Sequence, residues 1–597
     1  MSTSFDPAAL ARKYAEERRK RVENGDRSSH DDPVAILPDL DKDPWAGAPI
    51  DRAATIEEVD ALTTGCGMAG ILAATYLVKA GVSNIRMIDS AGDFGGTWYW
   101  NRYPGVRCDV EAYLYLPLLE EVRTIPTERY AAGHEILAHM QAIARHFGLY
   151  EKALLQTKIL FATWDAPSAR WHVRTNRGDL IKARFLLGTS GFLHKPKLPN
   201  IPGLADFKGR MFHPSRWDFT FTGGTSKGDL TGLKGKRVGL IGTGATGIQI
   251  LPHLAEHAAA AYLFQRTPAP VSVRNNRPTD TDWFNHLKPG WQTERLDNFE
   301  AVISGAPVEK DLIDDCWTHA AKQLSGVASS VKPEDGASLG EALQLYDYAL
   351  MQSLRDHIDR TVPEAQTAER LKPWYNLFCK RPLYADDYLE AFNHPNVHLI
   401  DTEGRGVERV TKNGVIVNGE HYALDCLIVA SGFQVGAYDA LTKTFPITGR
   451  NGLPLSESWS HDIHSLHGLW VHGYPNFQIV GTVIHAALSL NYTWFASEQA
   501  RHAATIIATC VNEHVASIEI TKEAEDRWGA LIDQKRQDRT AFNAACTPSF
   551  YNNEGDASKP GLPDRCYGGG PFEYAALTRA WRSGGFRQDC TITRLKD

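Results

Sequence analysis

Val59-Asp60-Ala61-Leu62-Thr63-Thr64-Gly65-Cys66-Gly67-Met68-Ala69-Gly70 reads as a β-strand that runs into a three-glycine turn. The pattern predicts a strand over 59–64 and a helix over 71–80. Gly65 permits the tight turn, Gly67 lets a pyrophosphate approach the main chain, and Gly70 lets the helix pack on the sheet. The helix then presents free N–H groups and the positive end of its dipole to an anion. A second strand, 84–88, ends in Asp89, which follows Gly65 by 24 positions (89 − 65). That interval is close to the ~20 at which an acid binds ribose hydroxyls in a dinucleotide unit. Thr63 and Thr64 conflict with this reading, because a central parallel strand is usually rich in Val and Ile. Their two hydroxyls must find partners.

The same unit recurs. A strand at 237–241 leads into Gly242-Thr243-Gly244-Ala245-Thr246-Gly247, a helix follows from about 248 into 254, and a strand follows at 261–265. Here the residue at the ribose interval is Arg266, followed by Thr267. A cation there suits a 2′-phosphate, so the second dinucleotide is read as NADP; the alternative is a solvated strand end. Asp89 would repel a 2′-phosphate, so the first is read as FAD. Two apolar runs, 185–191 and 426–433, stop at small-residue turns. They resemble the crossings where a flavin lobe hands over to a nicotinamide lobe and back.

The 597 residues, 43% hydrophobic and 23% charged, are enough for two or three lobes. The net charge of −7, without a long basic run, speaks against nucleic acid. No apolar run approaches the ~20 residues needed to span a bilayer, so no membrane insertion is expected. The nine cysteines are scattered, with no CxxC pair. They suggest a reducing cytoplasm rather than a disulfide framework, and no metal site. Residues 8–21 read as a charged surface helix, less well as a targeting helix, which should be poor in acid. Residues 24–53 read as a tether. The expected architecture is α/β. It comprises an N-terminal extension (1–55), a first part of the FAD domain (56–192), an NADP domain (193–390) with a helical insertion at about 279–375, and a second FAD part with the substrate-cavity segment (391–597). The insertion is expected to wall the cavity, and nothing in the sequence sets the oligomeric state.

Between the glycine turns lies Phe207-x-Gly209-x-x-x-His213-x-x-x-Trp217-Asp218. It resembles the fingerprint FxGxxxHxxxW(P/D) of the Baeyer–Villiger monooxygenases. Gly95-Gly96-Thr97-Trp98-Tyr99-Trp100-Asn101-Arg102-Tyr103-Pro104-Gly105-Val106-Arg107-Cys108-Asp109 is similar to that family's flavin-proximal segment. Phe264-Gln265-Arg266-Thr267-Pro268 and Lys380-Arg381-Pro382-Leu383 are similar to its cofactor and active-site segments. The resemblance runs from about residue 58 to the C-terminus. It implies an FAD enzyme that uses NADPH and O2 to turn a small-molecule ketone into an ester or lactone, through a C4a-peroxyflavin and a tetrahedral adduct. The alternative is a flavin monooxygenase acting on sulfur or nitrogen.

The resemblance implies roles for single residues. Gly96, Thr97 and Trp98 would lie along the flavin, with Asp109 beside it. Arg381 would supply a guanidinium that stays cationic at any working pH and stabilises developing negative charge. Asp109 would orient Arg381, or cap a helix opening at 110–112. The alternative for Arg381 is a surface Lys-Arg turn. Lys380 would join Arg266 on the 2′-phosphate, with a hydroxyl bond from Thr267. His213 and Trp217 would brace the linker rather than take part in chemistry. Tyr384, Leu488, Asn491, Tyr492 and Phe550 are candidates for the substrate cavity. Three departures stand out: Asp89 where Glu is usual, Phe550 where some relatives place Trp, and 480–485 where a Gly-Pro or Gly-x-Gly turn is usual.

Overall fold

In the computed structural model of the chain, the strand feeding the first glycine turn, Ile56–Thr63, lies inside an eight-stranded sheet. The structure describes residues 5–23, 29–191, 193–330, 338–435, 441–556, 561 and 563–595. The strand pairs in parallel with Ile85–Ile88 on one side and Leu180–Gly188 on the other. The two threonines find their partners. Thr64 Oγ1 accepts from the Thr189 amide at 3.0 Å, and Thr63 Oγ1 donates to the Gly65 carbonyl at 3.4 Å. Thr64 ties the end of this strand to its neighbour and Thr63 bonds within the turn, which removes the desolvation cost of the buried hydroxyls. The following helix, Met68–Lys79, begins inside the glycine turn, and its residues from Met68 to Leu77 are all buried. They are buried because the helix Tyr492–Asn512 packs over it.

A second, five-stranded parallel sheet has the order Val397–Asp401, Ala260–Gln265, Arg237–Ile241, Cys426–Val429, Arg210–Phe212. One expectation changes here. In the run at 426–433 the strand is Cys426–Val429, and it belongs to this second sheet. The expected boundary at 390 therefore cuts a sheet whose strands continue to 429. The chain returns to the first sheet through Ile447–Thr448 and Phe477–Ile479. The hand-over back to the first sheet thus falls at the run 426–433, as its small-residue turn suggests, and not at 390.

The N-terminal extension is no bare surface helix and tether. In the helix Pro7–Glu23, Leu10, Tyr14, Glu17 and Arg21 are buried. Tyr14 meets Tyr348 edge-on at 5.3 Å, and its hydroxyl accepts from Arg355 at 3.1 Å. Farther on, Leu37 and Leu40 enter the core of the second sheet. The buried face comprises few residues, each spaced among charges, which masks it in the sequence.

The insertion is helical, with Thr281–Asn285, Trp291–Ile303, Cys316–Ser330, Leu339–Thr361 and Ala365–Leu371. Its anchor is Glu111, fully buried, which pairs with Arg295 at 2.5 Å and with Arg129 at 3.4 Å. Burial pushes the Glu111 carboxyl up despite both guanidinium groups. Removing either partner would strand a buried charge. Among the described residues no helix is long and apolar enough to cross a membrane. Cys379 and Cys546 form a disulfide across 167 positions, and the other seven cysteines are free. This corrects the expectation of free thiols throughout. No spacing in the sequence marks this pair, which only folding brings together.

Candidate active site

One cavity of about 1660 Å³ opens where both glycine turns end their strands. This is the end of an open parallel sheet where ligands bind. At the first turn, an added Cβ on Gly70 would sit 1.9 Å from the Gly65 carbonyl oxygen. Only glycine lets the helix close on the strand there. Gly96, at φ +54°, faces Gly67 so closely that a Cβ on it would lie 2.6 Å from the Gly67 Cα. The floor is therefore bare main chain. The second turn repeats the construction. Gly242, at φ +108°, abuts the Ala430 carbonyl, and Gly247 closes on Gly242, while Gly244 faces open space.

The helices leaving the turns, Met68–Lys79 and Ala245–His257, have Gly67 and Gly244 as N-caps, with no side chain bonded to their first N–H groups. Those donors are left for another acceptor, and a pyrophosphate fits. Asp89 lines the cavity. Its carboxylate accepts from the Cys66 amide at 2.7 Å and from the Ala91 amide at 2.9 Å. Burial raises its pKa even so. Asp89 thus braces the first turn from within the cavity wall. Gly65, Gly67, Gly96, Thr97 and Trp98 also line the wall, and Trp98 Nε1 donates to the Tyr115 hydroxyl at 3.2 Å. Of the unusual segment, Gly481 comes close to Ala69 at φ +93°, and its amide donates to Gln499 at 2.7 Å. A glycine is thus kept where the chain passes the first helix.

Around the second turn, Gly242, Thr243, Gly244, Arg266, Thr267 and Lys380 line the same cavity. Thr243 Oγ1 donates to the Thr267 carbonyl at 2.6 Å and so ties the turn to the strand end. Lys380 Nζ donates to the Pro548 carbonyl at 2.7 Å; burial, with Arg266 nearby, lowers its pKa to about 7. Three participants escaped the sequence reading. Arg21, from the N-terminal helix, donates to Thr267 Oγ1 at 3.1 Å. Glu554 stands 3.7 Å from Arg266 and 3.3 Å from Lys197. No sequence signal pairs these positions, which lie hundreds of residues apart.

Arg381 Nη2 donates to both oxygens of Asp109, at 2.7 and 3.0 Å, and both residues line the cavity. Asp109 holds the Arg381 pKa above its ordinary value. The next helix, Ala112–Tyr115, has Glu111 rather than Asp109 at its N-cap. The carboxylate serves the guanidinium, not a helix end. Trp317, from the insertion, reaches this pair: its Nε1 donates to the Asp109 carbonyl at 2.8 Å, and its ring lies 5.9 Å from the guanidinium. Among the described residues the insertion puts none in the cavity wall, so it backs the site rather than walling the cavity as expected. His213 is buried, and burial lowers its pKa to about 3. Its Nε2 donates to the Gly432 carbonyl at 3.1 Å. A neutral imidazole thus joins the linker to the second sheet. Trp217, also buried, donates to Thr222 at 3.0 Å.

The five substrate candidates separate. Tyr492 and Phe550 line the cavity, whereas Tyr384, Leu488 and Asn491 do not. Tyr384 packs edge-on against Trp317 at 4.9 Å, one layer back. Leu488 is exposed outside the wall, and its neighbour Leu490 lines it instead. Asn491 is fully buried and caps the helix Tyr492–Asn512, accepting from the Thr493 amide at 3.2 Å. Asn before a helix is a recognisable cap signal, and it outranks the substrate reading.

Residues 64–125 match the family model of the NAD(P)-binding Rossmann-like domain, and residues 123–281 match that of flavin-binding monooxygenase-like proteins. The chain is 44% identical to neopentalenolactone D synthase of Streptomyces avermitilis, over 97% of this chain and 98% of that protein. It is 42% identical to Baeyer-Villiger monooxygenase 4 of Dietzia sp., over 97% and 95% of the two chains. Among solved structures, it is similar to a polycyclic ketone monooxygenase from the thermophilic fungus Thermothelomyces thermophila. The TM-score is 0.86 at 33% identity, covering 98% of this chain and 99% of that one.

Proposed function

The chain belongs to the Baeyer–Villiger monooxygenases, and we propose that within that family it converts a bulky, fused-ring ketone to a lactone. It is an FAD-containing, NADPH- and O2-dependent enzyme that turns a ketone into an ester or lactone. Bound FAD, reduced by NADPH, supplies the oxygen chemistry. The protein contributes position, charge and exclusion of water.

The observation that carries the residue assignment is Arg381, fixed by Asp109 in the wall shared by both glycine turns. Addition of oxygen to a carbonyl builds negative charge on the carbonyl oxygen. A guanidinium held in place before the reaction stabilises that charge without having to reorganise. Oxygen transfer to sulfur builds no such anion, so the pair favours the ketone reaction. Asp109 sets the rotamer of Arg381, and Trp317 sets Asp109. Gly67 and Gly244, with the uncapped helix starts behind them, receive the pyrophosphates of FAD and NADP. Arg266 and Lys380 receive the 2′-phosphate.

The fused-ring reading is supported by relatives named for pentalenolactone-type products and for polycyclic ketones. Tyr492, Leu490 and Phe550 offer the apolar surface that such a skeleton needs. A panel of monocyclic, bicyclic and tricyclic ketones beside aryl sulfides, followed by mass spectrometry, tests the reading. Gain of one oxygen on the fused-ring ketones, above that on sulfides, is expected. Faster oxidation of sulfides than of every ketone would overturn it.

A further inference from the structure

Glu554 is a carboxylate delivered into a cluster of cations. Its Oε1 lies 3.3 Å from Lys197 Nζ and its Oε2 lies 3.7 Å from Arg266 Nη2. Burial alone would raise its pKa, but Lys197, Arg266 and Lys380 together hold the carboxyl below its ordinary range. All four residues line the cofactor cavity. The carboxylate therefore stands as an anion where a dinucleotide phosphate is expected.

Its delivery is built into the chain. The turn Phe550–Gly555 places Asn553 at φ 49° and Glu554 at φ 56°, a left-handed conformation that non-glycine residues adopt at a cost. Hydrogen bonds hold the turn. The Glu554 amide donates to the Ser549 carbonyl at 2.7 Å, and the Ser549 and Gly555 amides donate to Asn552 Oδ1 at 2.9 and 3.1 Å. Ser549 Oγ donates to the Cys379 carbonyl at 2.7 Å, and the Cys379–Cys546 disulfide fastens the same segment next to Lys380 and Arg381. A solvated surface glutamate would need none of this framework.

We propose that Glu554 is an internal stand-in for the 2′-phosphate of NADP and thereby a determinant of cofactor choice. It neutralises the cations before the cofactor arrives and yields Arg266 and Lys380 to the phosphate on binding. Three cations drawn together out of bulk water without an anion repel one another and are costly to hold. NAD, which lacks the phosphate, leaves Glu554 in place. NADP must displace it, so part of the affinity that the cluster offers goes to breaking an existing ion pair. Glu554 thus narrows the preference for NADP over NAD. The inference rests on the reading that Arg266 and Lys380 take the 2′-phosphate.

Calorimetric titration of the oxidised, FAD-loaded enzyme with NADP+ and with NAD+ tests it, using the parent, Glu554→Gln and Arg266→Ala. Removal of a competing anion at a half-exposed site is worth about fivefold in affinity. Glu554→Gln should therefore bind NADP+ about fivefold more tightly and bind NAD+ almost unchanged. Its NADP+ affinity should also fall more steeply with salt. Unfolding temperatures of parent and variant verify that both are folded. Unchanged or weaker NADP+ binding by Glu554→Gln overturns the stand-in. Arg266→Ala separates the two layers. If it keeps the parental preference for NADP+ over NAD+, the 2′-phosphate reading itself fails. If it loses that preference while Glu554→Gln gains nothing, only the role of Glu554 fails.

Discussion

Trp317 donates its indole N–H to the main-chain oxygen of Asp109 at 2.8 Å, across 208 positions of sequence. Its own helix start is fixed by Asp315, whose carboxylate accepts from the Trp317 amide at 2.9 Å. The helical insertion thus reaches the Arg381–Asp109 pair through Trp317, and among the described residues it adds none to the cavity wall.

Trp317→Phe keeps the ring and removes the donor. Loss of one such bond costs about 1 kcal/mol. If that cost falls on the placement of Asp109, ester formation should drop about fivefold. Reduction of the flavin by NADPH should stay at the parental rate, and more NADPH should end as hydrogen peroxide. Stopped-flow and product analysis read both. Equal loss in flavin reduction and oxygenation would mean that Trp317 is a packing residue only.

Lys380 gives the cofactor site a pH dependence. Its pKa in the structure is about 7, lowered by burial and by Arg266. Below pH 7 the ammonium is present and ready for a phosphate. Above it, binding must first restore the proton, so NADP+ affinity should fall by up to about tenfold per pH unit until the cost of protonation exceeds the gain. Titrations from pH 6 to 9 should show this decline in the parent and a flat profile in Lys380→Met. A parental profile as flat as the variant's would contradict the assignment.

Glu300 gives the fold a pH dependence of its own. It is fully buried in the insertion, and Ser489 Oγ donates to its Oε1 at 3.0 Å. Burial, with Asp297 nearby, raises its pKa from 4.5 to about 8. The folded state keeps this proton up to about pH 8, whereas the unfolded chain gives it up above 4.5. Stability therefore declines between those values and levels off beyond pH 8. Glu300→Gln should raise stability by roughly 2–4 kcal/mol at pH 8 and by little at pH 5. Thermal unfolding at the two values checks this; an equal shift at both would contradict it.

The fold was legible where local chemistry writes it. The strand Arg237–Ile241 lies where the pattern put it, and both glycine turns close as their spacing implied. Both helices start earlier than the pattern predicts, since Met68 and Ala245 already lie in helix inside the glycine turns. What the sequence hid depends on distant partners. Arg21 looks like one more charge on a charged helix until Thr267 meets it. Cys546 carries no mark of Cys379. Trp317 is one of 15 tryptophans, and only folding brings it to Asp109. Of the substrate candidates, Asn491 caps the helix Tyr492–Asn512, a position its place before Tyr492-Thr493 already signals.

The most direct measurement of the central claim is single-turnover product formation by Arg381→Ala. Flavin reduction by NADPH should match the parent, because the glycine turns and the cation cluster are untouched. Ester formation should fall by about 10²–10³, the usual loss on removing a preorganised charge at a developing oxyanion. Ester produced by that variant at the parental rate would contradict the account.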